Sequence, residues 1–135
     1  METQAKSIMS TELITIPPET RIEEALKILV NNKITGIPVV NPSGRLIGVL
    51  SEIDIIHQIT KKKKLKPDDF NDQIAFTEKV QAIEESTQLS EILKLFTENQ
   101  YRRLPVITKE GKLVGIITRR DIMRVLFYRA RMGDA

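Results

Sequence analysis

The sequence predicts an α+β fold: two β-α-β-β-α repeats packed sheet to sheet as one pseudo-twofold body. Three observations lead there. The 135-residue chain repeats itself without gaps, at an offset of 67 residues, from about Ser7 to Ile59. Inside each copy, one apolar segment of helical period and two β-branched runs are separated by turn signals. Each copy, at about 55 residues, is too small to bury a comfortable core by itself, so the two are expected to share one body.

The repeat is legible residue by residue. Gly36-Ile-Pro-Val-Val40 answers Arg103-Leu-Pro-Val-Ile107, Gly44-Arg-Leu-Ile-Gly48 answers Gly111-Lys-Leu-Val-Gly115, and Ser51-Glu-Ile-Asp54 answers Thr118-Arg-Arg-Asp121. Upstream, Thr20, Glu24, Leu26, Lys27 and Asn32 recur as Thr87, Glu91, Leu93, Lys94 and Asn99. Each copy is expected to open with a short strand, Leu13–Ile16 or Val80–Ile83. Thr20-Arg-Ile-Glu23 then has the form of a capping box opening a helix. That helix would carry Ile22, Ala25, Leu26, Leu29 and Val30 on one face, and Leu89, Ile92, Leu93 and Phe96 in the second copy. Two strands follow, joined by Asn-Pro-Ser-Gly or Thr-Lys-Glu-Gly, four-residue turns with glycine last. A second helix starts after Ser51 and Thr118.

Composition excludes several classes of function. With 41% apolar and 29% charged residues the chain is an ordinary globular protein. The absence of cysteine removes disulfides, thiolate metal sites and a cysteine nucleophile. A single histidine, His57, argues against a histidine metal site or a histidine-dependent triad, and it reads as a surface residue of the second helix. No metal site and no catalytic residue is assigned. No apolar run approaches the roughly 20 residues of a membrane span, and METQAKSIMS has no signal-peptide core, so a cytoplasmic protein is expected. Net charge is only +3, and six aromatic residues without tryptophan offer little for stacking on single-stranded nucleic acid.

The domain plan is repeat 1 at 6–60, a charged linker at 61–72, repeat 2 at 73–128 and a tail at 129–135. The linker holds Lys61–Lys64, Lys66 and Pro67, with acids just downstream. Like charges this dense repel one another and stay solvated. The alternative is contact with nucleic acid through Lys61–Lys66 and the C-terminal arginines, which the neighbouring acids weaken.

The duplicated h-x-P-V-h, G-x-L-h-G and G-h-h-[S/T]-x-x-D pattern resembles a tandem pair of cystathionine-beta-synthase (CBS) domains, a Bateman module, over about Lys6 to Phe127. The resemblance implies a stand-alone regulatory module that binds an adenosine-containing ligand in clefts between the repeats: AMP, ADP, ATP, S-adenosylmethionine or a cyclic dinucleotide. It implies no catalysis and no cofactor beyond that ligand, with Mg2+ only alongside a polyphosphate. By the family pattern Asp54 and Asp121 would bind the ribose hydroxyls, and Ser51 and Thr118 the phosphate. Thr15, Ile16, Ile37 and Pro38 would border one adenine, and Ala82, Ile83, Leu104 and Pro105 the other. Such modules commonly pair as homodimers through their helices, and the output would go to a separate, unidentified effector protein.

The residue types suit that chemistry. A carboxylate has two acceptor oxygens and can take both hydrogen bonds of a vicinal diol. Gly48 and Gly115 permit close approach of a ligand to a strand. Ser51 and Thr118 open helices whose free N–H groups attract phosphate. Pro38 and Pro105 interrupt strand pairing and can leave backbone groups free for a base. The same Ser/Thr-x-x-Asp is also a capping box, and the two roles are compatible. Arg102, Arg103, Arg119 and Arg120 surround the second motif, while the first has Ile34–Gly36, Glu52 and Ile53. They suit phosphate, or else form a solvated or dimer-facing surface. If they bind phosphate, the Asp121 site prefers the more highly charged ligand, or they reach the ligand held by Asp54. A ligand-free dimerisation module remains the alternative for the whole chain, alongside nucleic-acid binding.

Overall fold

The computed structural model describes residues 3–133; the last two residues of the expected 129–135 tail lie outside them. The chain is α+β, with a two-stranded and a three-stranded sheet. It divides into two compact units, residues 14–80 and residues 3–13 with 81–133.

In the first unit, helix α2 (Ile22–Asn32) precedes an antiparallel hairpin of β1 (Gly36–Val40) and β2 (Leu46–Ser51), and α3 (Glu52–Thr60) follows directly. Helix α2 ends where Lys33 turns left-handed (φ 54°) and its N–H bonds the Leu29 carbonyl. The hairpin turn forms as its sequence predicts: Gly44 has φ 85° and donates to the Asn41 carbonyl at 2.9 Å. Ile22, Ala25 and Leu29 close over Ile37, Val39, Leu50 and Ile55 as one core. Val30, expected on the buried face, is 71% exposed because it lies at the margin of that stripe.

The second unit repeats this plan with β3 (Ile83–Glu84), α4 (Leu89–Glu98), β4 (Arg103–Ile107), β5 (Leu113–Thr118) and α5 (Arg119–Arg131). Gly111, at φ 87°, closes its hairpin on Thr108. Its core of Ile83, Leu89, Ile92, Leu104, Val106, Ile117 and Ile122 mirrors the first at the 67-residue offset. A four-residue helix, α1 (Ala5–Ile8), adds Ala5 and Ile8 to it. Among the described residues no helix is long and apolar enough to cross a membrane.

Three local expectations are corrected. The opening strands shrink to an isolated parallel bridge, Ile16 with Val39, and to the two residues of β3. Pro17 and Pro18, which cannot donate to a ladder, follow Ile16 at once. No capping box forms at Thr20–Glu23: the N-cap is Arg21, without a side-chain cap, and the buried Thr20 hydroxyl donates to the Pro17 carbonyl at 2.7 Å. The connector is also less loose than its charge suggests. A 3-10 turn at Pro67–Asn71 places Phe70 against the first core, and Lys62 bridges Asp69 and Asp72 at 3.4 and 3.1 Å.

Packing partitions the chain at different points from the repeat. Residues around Thr77 pair with β2 through reciprocal bonds between Thr77 and Val49, and residues around Ser10 pair with β5 through Ser10 and Ile116. Thr77 stands 67 residues after Ser10. The opening segment of each copy thus bridges to the edge of the other copy's hairpin.

Candidate functional site

The strand-to-helix corners carry the predicted motif in both units. Ser51 is extended (φ −108°, ψ 165°), which ends β2 and aims its side chain at the free amides of α3. Its N–H and hydroxyl both donate to Asp54 Oδ2, at 2.8 and 2.9 Å, and the Asp54 N–H donates to Ser51 Oγ at 3.3 Å. Thr118 and Asp121 repeat this at 2.8, 3.1 and 3.3 Å. Capping therefore engages one carboxylate oxygen, Oδ2, and leaves Oδ1 facing other partners.

Those partners differ. Asp54 Oδ1 accepts the Thr77 hydroxyl at 3.0 Å. Asp121 Oδ1 accepts Arg124 Nη2 at 3.0 Å, and the Asp121 side chain is only 7% exposed. Neither donor belongs to the Ser/Thr-x-x-Asp motif.

The glycines and prolines have structural tasks of their own. A Cβ on Gly48 would collide with the Phe76 ring and the Thr77 carbonyl, and one on Gly115 with the Met9 side chain. The close approach they permit here is by the edge segment of their own unit. The prolines do not interrupt the hairpins, contrary to expectation: Pro38 sits in register with Val49 and Pro105 with Ile116. Val49 spends its N–H and carbonyl on Thr77, so Pro38 turns its backbone the other way, where its carbonyl accepts Ile16 N–H at 3.1 Å. The missing donor of each proline faces the first-strand segment, which is where the adenine residues were placed. Of those residues Thr15 is exposed and Ala82 half-buried, while Ile16, Ile37, Pro38, Ile83, Leu104 and Pro105 are buried. The side chains of Ile37 and Leu104 lie in the cores, so what they can offer a ligand is backbone.

The four arginines gather at the start of α5. Arg103 is in register with Thr118, and Arg119 and Arg120 are the first two residues of the helix. Arg102, Arg119 and Arg120 are exposed, and Arg119 Nε donates to the Tyr101 carbonyl at 3.1 Å. This puts cationic side chains beside a helix N-terminus, a favourable setting for an anion. Among the described residues no three His, Asp or Glu side chains gather as a metal site.

The profile of the CBS domain matches the chain twice, at residues 5–61 and 72–128. The chain belongs to the CBS domain family. It is 32% identical over 148 residues to the chloroplastic CBS domain-containing protein CBSX1 of Arabidopsis thaliana, covering 91% of this chain and 63% of that protein. It is 34% identical over 124 residues to inosine-5'-monophosphate dehydrogenase of Aquifex aeolicus, of which it spans only 24%. Arabidopsis CBSX2, solved in complex with AMP, matches with a TM-score of 0.80 and 30% identity over 93% of this chain and 96% of that one. The CBS pair of protein MJ0100, solved with 5'-methylthioadenosine and S-adenosyl-L-methionine, matches at 0.76 and 26% identity over 96% and 99%.

Two residues of the CBS corners escape sequence reasoning. Arg124 lies three residues beyond Asp121 on α5, a spacing that juxtaposes side chains, so it was within reach of a helical reading. Thr77 is 23 residues from Asp54, and only the match to Ser10 at the repeat offset hints that it serves the first CBS copy.

Proposed function

We propose that this CBS pair is a non-catalytic regulatory module that binds an adenosine-containing nucleotide through Asp54 and Asp121 and signals to a separate protein. The observation that carries this is the Asp carboxylate in each unit: it is fixed by its cap through Oδ2 and presents Oδ1 away from the cap. A carboxylate so oriented suits a vicinal diol, because one rigid acceptor takes two donors. The Ser51 and Thr118 hydroxyls and the first amides of α3 and α5 lie at the same corners, where they suit a phosphate. Similar proteins solved with AMP and with S-adenosyl-L-methionine point to the same ligand class. Mg2+ would enter only with a polyphosphate.

The reading includes a homodimer paired through helices. Each copy's second helix exposes an apolar side chain at the same repeat position, Ile56 and Met123. In the first unit Leu26, Val30, Ile34 and Ile56 line a groove of about 490 Å³, and on α5 Leu126, Phe127 and Tyr128 are exposed. Apolar patches of this kind mark contact surfaces. The proposed compartment is the cytoplasm. In the polybasic run, Lys62 is already engaged by Asp69 and Asp72, which leaves less charge for nucleic acid.

The test is thermal unfolding against AMP, ADP, ATP, S-adenosylmethionine, NAD and cyclic di-AMP. A ligand at roughly a hundredfold excess over its Kd stabilises the folded state by about 2.7 kcal/mol, a shift of several degrees. Silence across the panel would favour the ligand-free dimerisation module.

A further inference from the structure

We infer that Arg124 gates the second carboxylate, so that Asp54 takes the ribose diol of an adenosine ligand in preference to Asp121. The inference rests on the nucleotide reading above and adds a ranking of the two sites with the residue that sets it.

An ionised carboxylate offers about four lone-pair positions. At Asp54 the Ser51 N–H, the Ser51 hydroxyl and the Thr77 hydroxyl fill three of them. At Asp121 the Thr118 N–H, the Thr118 hydroxyl and Arg124 Nη2 fill three. A diol brings two donors, so at either corner one resident donor must leave. The capping donors are fixed by the start of the helix, which leaves the donor on Oδ1. At Asp54 this is a neutral hydroxyl on an exposed residue, free to rotate toward water. At Asp121 it is a guanidinium on a carboxylate almost closed to solvent, so both partners are charged and the donor's departure leaves a buried carboxylate without its cation. The first copy has no such lock, since His57 stands at the position of Arg124 and it is Thr77 that reaches Asp54.

Adenosine is the probe, because it lacks the phosphate that the nearby arginines could hold. Calorimetric titration of the full chain compares Asp54→Ala, which leaves the Asp121 site, with Asp121→Ala, which leaves the Asp54 site. Adenosine is expected to bind about tenfold more weakly to the former. Adding Arg124→Met to Asp54→Ala should recover about tenfold, while adding it to Asp121→Ala should change nothing. Arg124→Met leaves the Thr118–Asp121 cap in place, and a circular-dichroism melt checks that each variant is folded. Should Asp121→Ala fail to fold, the gain from Arg124→Met in the Asp54→Ala background decides alone. Unchanged or weaker adenosine binding on removing Arg124 overturns the inference and leaves the nucleotide reading standing. Absence of adenosine binding in the wild type and in every variant overturns the inference alone; absence of binding of AMP, ADP, ATP and S-adenosylmethionine as well overturns both.

Discussion

The two units differ least in their cores and most at one carboxylate oxygen. Ile37, Val39, Leu50 and Ile55 have counterparts in Leu104, Val106, Ile117 and Ile122, and both corners close the same reciprocal cap. Yet Asp54 Oδ1 meets an exposed hydroxyl from a distant segment, and Asp121 Oδ1 meets a guanidinium from its own helix. A duplicated sequence thus preserves apolar residues at the core positions shared by its main helices and hairpins, while half-exposed partners are free to diverge. The divergence sits where a ligand would compete.

Cutting into the shared part should have the largest effect. Leu50→Ala and Ile117→Ala, both fully buried, should each cost about 2–5 kcal/mol in denaturant unfolding. Similar values would uphold the equivalence of the cores, and a large gap would break it. Next come the glycines. Gly48→Ala meets the Thr77 backbone carbonyl, which cannot yield without moving the edge segment, and should cost about 1–3 kcal/mol. Gly115→Ala meets the flexible Met9 side chain and should cost less by the same measurement. The carboxylate partners come third. Arg124→Met should lose about 1–2 kcal/mol, since it leaves the 7% exposed Asp121 carboxylate without its cation, and Thr77→Val no more than about 0.5 kcal/mol, since water can replace an exposed hydroxyl.

The smallest effect concerns the connector of the first unit. The Lys66 N–H, and after it Lys62, hold the Asp69 carboxyl below its ordinary value, and hydrogen bonds to Asp72 and then Asp69 hold Lys62 above its own. A depressed carboxylate adds stability above its unfolded value and loses it as pH falls through the folded one. A raised lysine adds stability below its unfolded value and loses it as pH rises through the folded one. The clasp is therefore complete around neutral pH and opens at both extremes. A carboxyl titration followed by NMR should place Asp69 below the usual carboxylate range. Lys62→Ala should move it back only in part, since the Lys66 amide remains.

Sequence reading recovered the parts of the fold that periodicity controls. The helices, the hairpins with Gly44 and Gly111 at their turns, and the caps at Ser51 and Thr118 all follow from local residue choices. The edge pairings of Ser10 and Thr77 were not legible, because no local pattern states that a segment leaves its own copy to pair with another. Thr20 shows the converse error: Thr-x-x-Glu had the form of a cap, but its hydroxyl bonds Pro17 and the helix opens one residue later. At the site, Asp54 and Asp121 were visible because the motif is short and duplicated. Thr77 was hidden by distance, and Arg124 by its company among other arginines of a basic helix.

The central claim, that Asp54 and Asp121 hold an adenosine ligand, is tested most directly by titrating AMP into the wild-type chain and into the Asp54→Ala/Asp121→Ala double variant, with folding of both verified. Binding by the wild type with a loss of at least about tenfold in the double variant is predicted, from two charge-assisted contacts removed per site. Equal AMP affinity in the two proteins would contradict it.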